Sequence, residues 1–185
     1  MVISLTVVLV WLLSSEGYLL FRKRSNRSTK KNHGDRGSLL VLWIALPLSI
    51  TCSIIWANNS PHIENNLSTI TGLIFSVVGS VVRWISIKQL KQGFTVDVSI
   101  HEDHHLKTNG IFKRVRHPSY TGLILILVGI GVILNNTIAI IILLLPVFFA
   151  VNYRIYVEEK LLEQEFGDEY RHYKHATKRL IPFLY

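Results

Sequence analysis

The stretch TGLILILVGIGVILNNTIAIIILLLPVFFAVNY, residues 121–153, contains no Lys, Arg, Asp or Glu. A bilayer hydrocarbon core of about 30 Å is crossed by about 20 apolar residues at a rise of about 1.5 Å each. The stretch is too long for one such crossing, and the polar pair Asn135-Asn136 divides it near its middle. It therefore reads as a helical hairpin, with segments 119–134 and 137–155 entering and leaving on the same membrane face. Pro146 is expected to kink the second arm, leaving a carbonyl for a neighbouring helix to satisfy.

Three more apolar segments lie upstream, near residues 1–21, 38–57 and 69–90. The first lacks a basic leader, and Arg22-Lys23-Arg24 follow it like a stop-transfer flank, so it reads as a helix rather than a signal peptide. The expectation is an all-α integral membrane protein of about five transmembrane helices, forming a single polytopic domain over 1–185. Residues 1–90 carry three helices and the basic loop 22–37; residues 91–185 carry the hairpin 119–155 and a polar tail. The wider composition agrees: 49% hydrophobic residues coexist with a net charge of +8, so apolar and basic blocks must be segregated. With a single cysteine, Cys52, the chain has no intramolecular disulfide to form. Nothing in it suggests nucleic-acid binding or an obligate protein partner.

Charge sets the expected orientation. Residues 22–36 hold seven Lys/Arg and residues 58–68 hold none. The positive-inside rule then puts the first loop in the cytoplasm, the amino terminus outside, and both residues 91–118 and the tail from Arg154 on the cytoplasmic side. The basic loop can also attract anionic membrane lipids. On the third segment Gly72, Ser76 and Ser80 form a small-residue stripe suited to close helix packing. Arg83 and Lys88, near its inner end, are expected to snorkel to the headgroups.

Two motifs compete for the chemistry. His101, Glu102 and His105 match H-E-x-x-H, which on a helix would hold zinc beside a glutamate base and imply an intramembrane metalloprotease. The surroundings disfavour a helix: Val96, Val98 and Ile100 alternate with polar residues, and Lys107-Thr108-Asn109-Gly110 is turn chemistry. No metal site is assigned. The second motif is His117-Pro118-Ser119-Tyr120, where proline restricts His117 away from helical geometry and itself suits a first helical turn. At the far end of the hairpin Arg154 and Glu158 stand i and i+4 on one helix face. The fold-back brings both sets to one level, where they could meet an anionic or zwitterionic ligand. Taken alone, the Arg–Glu pair is equally an exposed surface pair contributing less than about 1 kcal/mol.

The run G-I-F-K-x-V-R-H-P-S-Y-x-G from Gly110 to Gly122, an apolar hairpin, and then E-E-x-x-L-x-x-x-F-G-x-x-Y-x-x-Y resemble the isoprenylcysteine carboxyl methyltransferase family. The second block comprises Glu158, Glu159, Leu162, Phe166, Gly167, Tyr170 and Tyr173, with Arg179 and Pro182 after it. The resemblance runs from near Phe94 to Pro182, in a superfamily that also holds phospholipid methyltransferases and, more distantly, sterol reductases. It implies S-adenosyl-L-methionine as cofactor, a cytosol-facing cofactor pocket, and a lipophilic substrate arriving from within the bilayer. The implied cofactor-binding residues are Ser99, His104, His105, Leu106, Lys107, Phe112, His117, Pro118, Ser119 and Tyr120; the implied catalytic residues are Arg154 and Glu158. The sequence departs from the family's habit at Phe112, where tyrosine is frequent, at Lys107, where valine is, and at Ser99, where a longer polar side chain is usual.

The resemblance implies methyl transfer to a membrane-embedded acceptor, with carboxyl O-methylation of an isoprenylcysteine or similar isoprenoid or lipid acid as the expected reaction. Arg154 would orient the acceptor carboxylate and Glu158 would fix the guanidinium. A phospholipid amine is the alternative acceptor; it must lose a proton, which makes Glu158 or Glu159 a candidate base. Beyond methyl transfer, the residues leave open a zinc protease, a membrane reductase and a non-catalytic lipid-binding protein.

Overall fold

The computed structural model describes residues 36–61, 65–90 and 106–182 of the 185-residue chain. The first apolar segment, the basic loop before Arg36, the H-E-x-x-H motif, and Ser99, His104 and His105 lie outside the described residues.

Four helices make up the described fold: α1 (Arg36–Asn58), α2 (Asn66–Leu90), α3 (Pro118–Leu134) and α4 (Thr137–Ala176). Helix α1, α2 and the apolar part of α4 are long and apolar enough to cross a membrane. The hydrocarbon interior offers backbone groups no water, so each apolar segment closes its own hydrogen bonds as a helix. Side chains such as Leu40, Ile44 and Leu48 on α1 and Ile70, Ile74, Val77 and Val81 on α2 face outward. In water these stripes would be a liability, whereas lipid solvates them. The chain is an integral membrane protein.

The two asparagines that divide the hairpin perform different tasks. Asn135 closes α3 in the left-handed conformation at φ 48°, which asparagine tolerates better than most residues. Asn136 caps α4, its side chain accepting from the Ala139 amide at 3.0 Å. Helix α3 lies at the centre, with α2 packed along one side, while α1 packs along α4. The core is built from Leu123, Ile126, Leu127, Ile130 and Ile133 of α3 with Leu143, Val147, Val151 and Ile155 of α4, joined by Ile50 and Ala57 of α1.

Helices α2 and α3 meet on small residues. A Cβ built on Gly79 would stand 2.6 Å from the Gly122 carbonyl oxygen, and one on Gly122 would stand 2.6 Å from that of Gly79. Ser76 and Ser80 return their hydroxyls to the carbonyls four residues back, at 2.9 and 2.7 Å, so they add no bulk or unsatisfied polarity to the contact.

Two expectations change. The helix of the fifth segment does not stop near residue 155; it continues to Ala176, interrupted only at Gly167, whose φ of 50° and ψ of −121° break the helical geometry. Pro146 lies within the helix, and the non-helical backbone is at Gly167. Arg83 does not snorkel. It is 6% exposed and donates from Nη1 to the Ser119 carbonyl at 3.1 Å and to the Ser119 hydroxyl at 3.0 Å, tying α2 to the first turn of α3.

Candidate active site

The charge-free part of α4 ends at Tyr153, and the next residues carry Arg154, Glu158 and Glu159. This charged continuation cannot lie in hydrocarbon, so the site is at the membrane boundary. The residues before α3 form a short 3-10 turn, Gly110–Lys113, whose Ile111 amide donates to Gln89 of α2 at 3.0 Å. The chain is then extended for long enough to pair with the carboxyl-terminal segment. Arg116 donates its amide to the Lys178 carbonyl at 2.8 Å and His117 to that of Arg179 at 3.0 Å. Pro118 follows as the first residue of α3, so His117 is held at the junction between a strand-like pairing and a helix.

His117 lies between two carboxylates. Its Nε2 is 3.3 Å from Glu159 Oε1, and its Nδ1 is 3.8 Å from Glu158 Oε2. Glu159 is the buried hub, 3% exposed: Arg116 Nε meets Oε1 at 3.0 Å and Arg179 Nη2 meets Oε2 at 3.0 Å. Burial alone would raise the Glu159 pKa, but hydrogen bonds from His117, Arg179 and Arg116 prevail and hold it at about 2. Arg116 also donates to the Lys174 carbonyl at 2.9 Å and to the Thr177 carbonyl, so one guanidinium gathers α4 and the segment after it. Its side chain is turned inward, and Arg114, two residues earlier, is exposed.

Tyr120 joins the histidine side to the arginine side. Its hydroxyl donates to Glu158 Oε2 at 3.1 Å and accepts from Arg154 Nε at 3.4 Å. Arg154 is 2% exposed, and its Nη1 donates to the Ser38 hydroxyl of α1 at 2.9 Å. The structure thus brings together His117, Tyr120, Arg154 and Glu158, while Pro118 and Ser119 sit in the same turn. Phe112 is buried nearby, its carbonyl accepting from the Tyr173 hydroxyl at 2.7 Å. Leu106 and Lys107 are half-buried in the non-helical segment before the 3-10 turn.

Sequence reasoning left Ser38, Arg83 and Arg116 out of the site. The paired Glu158-Glu159 was a visible signal, but it did not reveal which carboxylate faces Arg154 and which forms the hub. One further group is notable: the Tyr170 hydroxyl is buried with no hydrogen-bond partner among the described residues. Burial and the nearby Glu159 charge both oppose its ionisation and push its pKa up.

Fold and site define a class: polytopic helical membrane proteins with a buried, charged polar centre at the boundary end of a helical hairpin. The sequence profile of the isoprenylcysteine carboxyl methyltransferase (ICMT) family matches residues 72–164, about half the chain. A protein-S-isoprenylcysteine O-methyltransferase of Dictyostelium discoideum is 31% identical over 174 residues, covering 88% of this chain and 68% of that protein. A probable protein-S-isoprenylcysteine O-methyltransferase of Oryza sativa subsp. indica is 32% identical over 115 residues, 61% of this chain and 60% of that protein. The solved structure of a eukaryotic intramembrane Ras methyltransferase, ICMT, matches with a TM-score of 0.68 at 24% identity, over 96% of this chain and 64% of that one. The chain belongs to the isoprenylcysteine carboxyl methyltransferase family. It spans about 60% of the length of the rice relative it matches.

Proposed function

We propose that this protein is an S-adenosyl-L-methionine-dependent methyltransferase that esterifies the carboxylate of an isoprenylcysteine or a closely related isoprenoid acid. The observation that carries the reading is the setting of Arg154, a buried guanidinium directly beyond the charge-free part of α4, oriented on one edge by Tyr120 and on the other by Ser38. A planar guanidinium is matched to a carboxylate, and its place at the end of an apolar helix suits an acceptor whose lipid chain stays in the bilayer. The relatives named for isoprenylcysteine methylation support the same acceptor.

The donor supplies an electrophilic methyl group. Its fit is supported by the orphaned Tyr170 hydroxyl, since a buried hydroxyl without a partner costs about 1–3 kcal/mol and a polar ligand would relieve it. His117, Tyr120 and Phe112 would line its pocket with Pro118, Ser119, Leu106 and Lys107, and the resemblance adds Ser99, His104 and His105. Phe112 provides apolar surface without tyrosine's hydroxyl.

The remaining chemistry belongs to the chain. Arg154 holds the acceptor carboxylate, and Tyr120, itself bonded to Glu158, anchors the guanidinium at Nε. A carboxylate arrives ionised, so no side chain has to remove a proton from it. Burial of the site excludes water and strengthens the electrostatic contacts that align the acceptor. The proposed topology has about five spans, the amino terminus outside, and the site and carboxyl terminus in the cytoplasm.

The test is to supply membranes containing the protein with methyl-labelled S-adenosyl-L-methionine and a panel of lipid acids and amines. Label on N-acetyl-S-farnesylcysteine that base releases is expected. Base-stable label on a phospholipid amine would overturn the carboxylate assignment, and no transfer to any acceptor would overturn the reaction class.

A further inference from the structure

We propose that Ser38, at the start of α1, is a positioning residue for the acceptor site, setting the rotation of the Arg154 guanidinium. The inference rests on the methyl-transfer reading above and adds a component from outside the family profile, which begins at residue 72. Arg154 is held at Nε by Tyr120 of α3, at 3.4 Å. A contact at Nε leaves the Nη edge of the planar group to be set by other partners. The second hydrogen bond, from Nη1 to the Ser38 hydroxyl at 2.9 Å, fixes the plane from another helix.

Burial makes this contact consequential. Ser38 is 0% exposed and Arg154 is 2% exposed, so water does not readily replace the hydroxyl if it is removed. Helices α1 and α4 pack along one another, which places Ser38 beside Arg154 across 116 positions of sequence. Helix α1 thereby reaches the acceptor side of the site through the Ser38 hydroxyl. The buried ion pairs of the histidine side come from Glu159 and the carboxyl-terminal segment, and its link to Arg154 runs through Tyr120 at Nε, whereas Ser38 meets Nη1. Loss of Ser38 should therefore affect the acceptor and spare the cofactor.

The experiment uses the full chain in nanodiscs, with N-acetyl-S-farnesylcysteine as acceptor and S-adenosylhomocysteine as a cofactor probe. Ser38→Ala is expected to raise both KM and the directly measured Kd for the acceptor about tenfold, the loss expected for one hydrogen bond to a charged group. Affinity for S-adenosylhomocysteine should stay within about twofold, because the change removes no contact on that side. Ser38→Cys, close in volume but a weak acceptor, should show the same acceptor loss without leaving a void. In an Arg154→Lys background, which has no Nη1 donor, adding Ser38→Ala should change little.

Wild-type acceptor affinity in Ser38→Ala would overturn the inference, as would equal weakening of acceptor and cofactor probe, or an undiminished effect in the lysine background. The two levels fail differently. If the wild-type protein transfers label to no acceptor, the methyl-transfer reading itself falls; if wild type is active and Arg154→Ala is inactive while Ser38→Ala binds acceptor normally, only the role of Ser38 falls.

Discussion

Arg154 and Glu158, one turn apart on α4, are joined through the hydroxyl of Tyr120, which accepts from the guanidinium at 3.4 Å and donates to the carboxylate at 3.1 Å. The sequence spacing suggested that Glu158 would fix the guanidinium itself, as i,i+4 pairs commonly do. The inserted phenol makes the arrangement depend on the α3–α4 hairpin, because Tyr120 is presented by the turn that Pro118 starts. Tyr120→Phe should therefore lower kcat/KM about tenfold or more while the protein stays folded, since a hydroxyl serving two charged groups is lost. Steady-state kinetics alongside thermal unfolding checks this.

Glu159 should matter for folding before it matters for chemistry. Removing a buried carboxylate that serves Arg116, His117 and Arg179 strands those groups, and Glu159→Ala should destabilise the protein by about 3–5 kcal/mol. Thermal unfolding in detergent measures the loss.

The same residue gives a signed pH dependence. Its folded pKa, about 2, lies below the ordinary glutamate value of 4.5, so its stabilising contribution is fully present above about pH 4.5. That contribution is lost as pH falls from there toward 2. Stability of wild type should decline through this window, and Glu159→Gln should flatten the part of the decline due to this group. An identical slope in the variant would deny the carboxylate its place as hub.

Helix packing offers an independent check. A methyl added at Gly79 would meet the backbone of α3 rather than a movable side chain, so Gly79→Ala should destabilise by about 1–3 kcal/mol. Gly131→Ala, where the nearest atom is Ile140 Cγ1 at 3.0 Å, should be milder because that side chain can give. Paired melting curves decide between them.

Arg83 holds Ser119, which the proposed reading places in the cofactor pocket. Arg83→Lys loses the forked donation to Ser119, and the expected outcome is weaker S-adenosylhomocysteine binding, about fivefold or more, with the fold retained. Calorimetry reads it directly.

The hairpin was legible because charge vanishes between Thr121 and Tyr153 and two asparagines interrupt the run. The start of α3 was legible because proline at a first helical position constrains His117 before it. The extension of α4 beyond residue 155 was less so: charged residues on a helix that leaves the membrane look like a solvated tail, although E-E-x-x-L carries helical spacing. Arg83 reads as a snorkelling cation and Arg116 stays outside the predicted site because a side chain's direction depends on which helix faces it, and the local sequence does not encode that. The Ser38–Arg154 contact spans 116 positions and exists only through the packing of α1 on α4.

The assignment of Arg154 to the acceptor is tested most directly by measuring, on the same Arg154→Ala preparation, methyl transfer to N-acetyl-S-farnesylcysteine and affinity for S-adenosylhomocysteine. The predicted result is turnover lost to background with cofactor-probe affinity within about threefold of wild type, because an interaction confined to one ligand leaves the other's binding energy in place. Retained turnover, or equal loss of both, would contradict it.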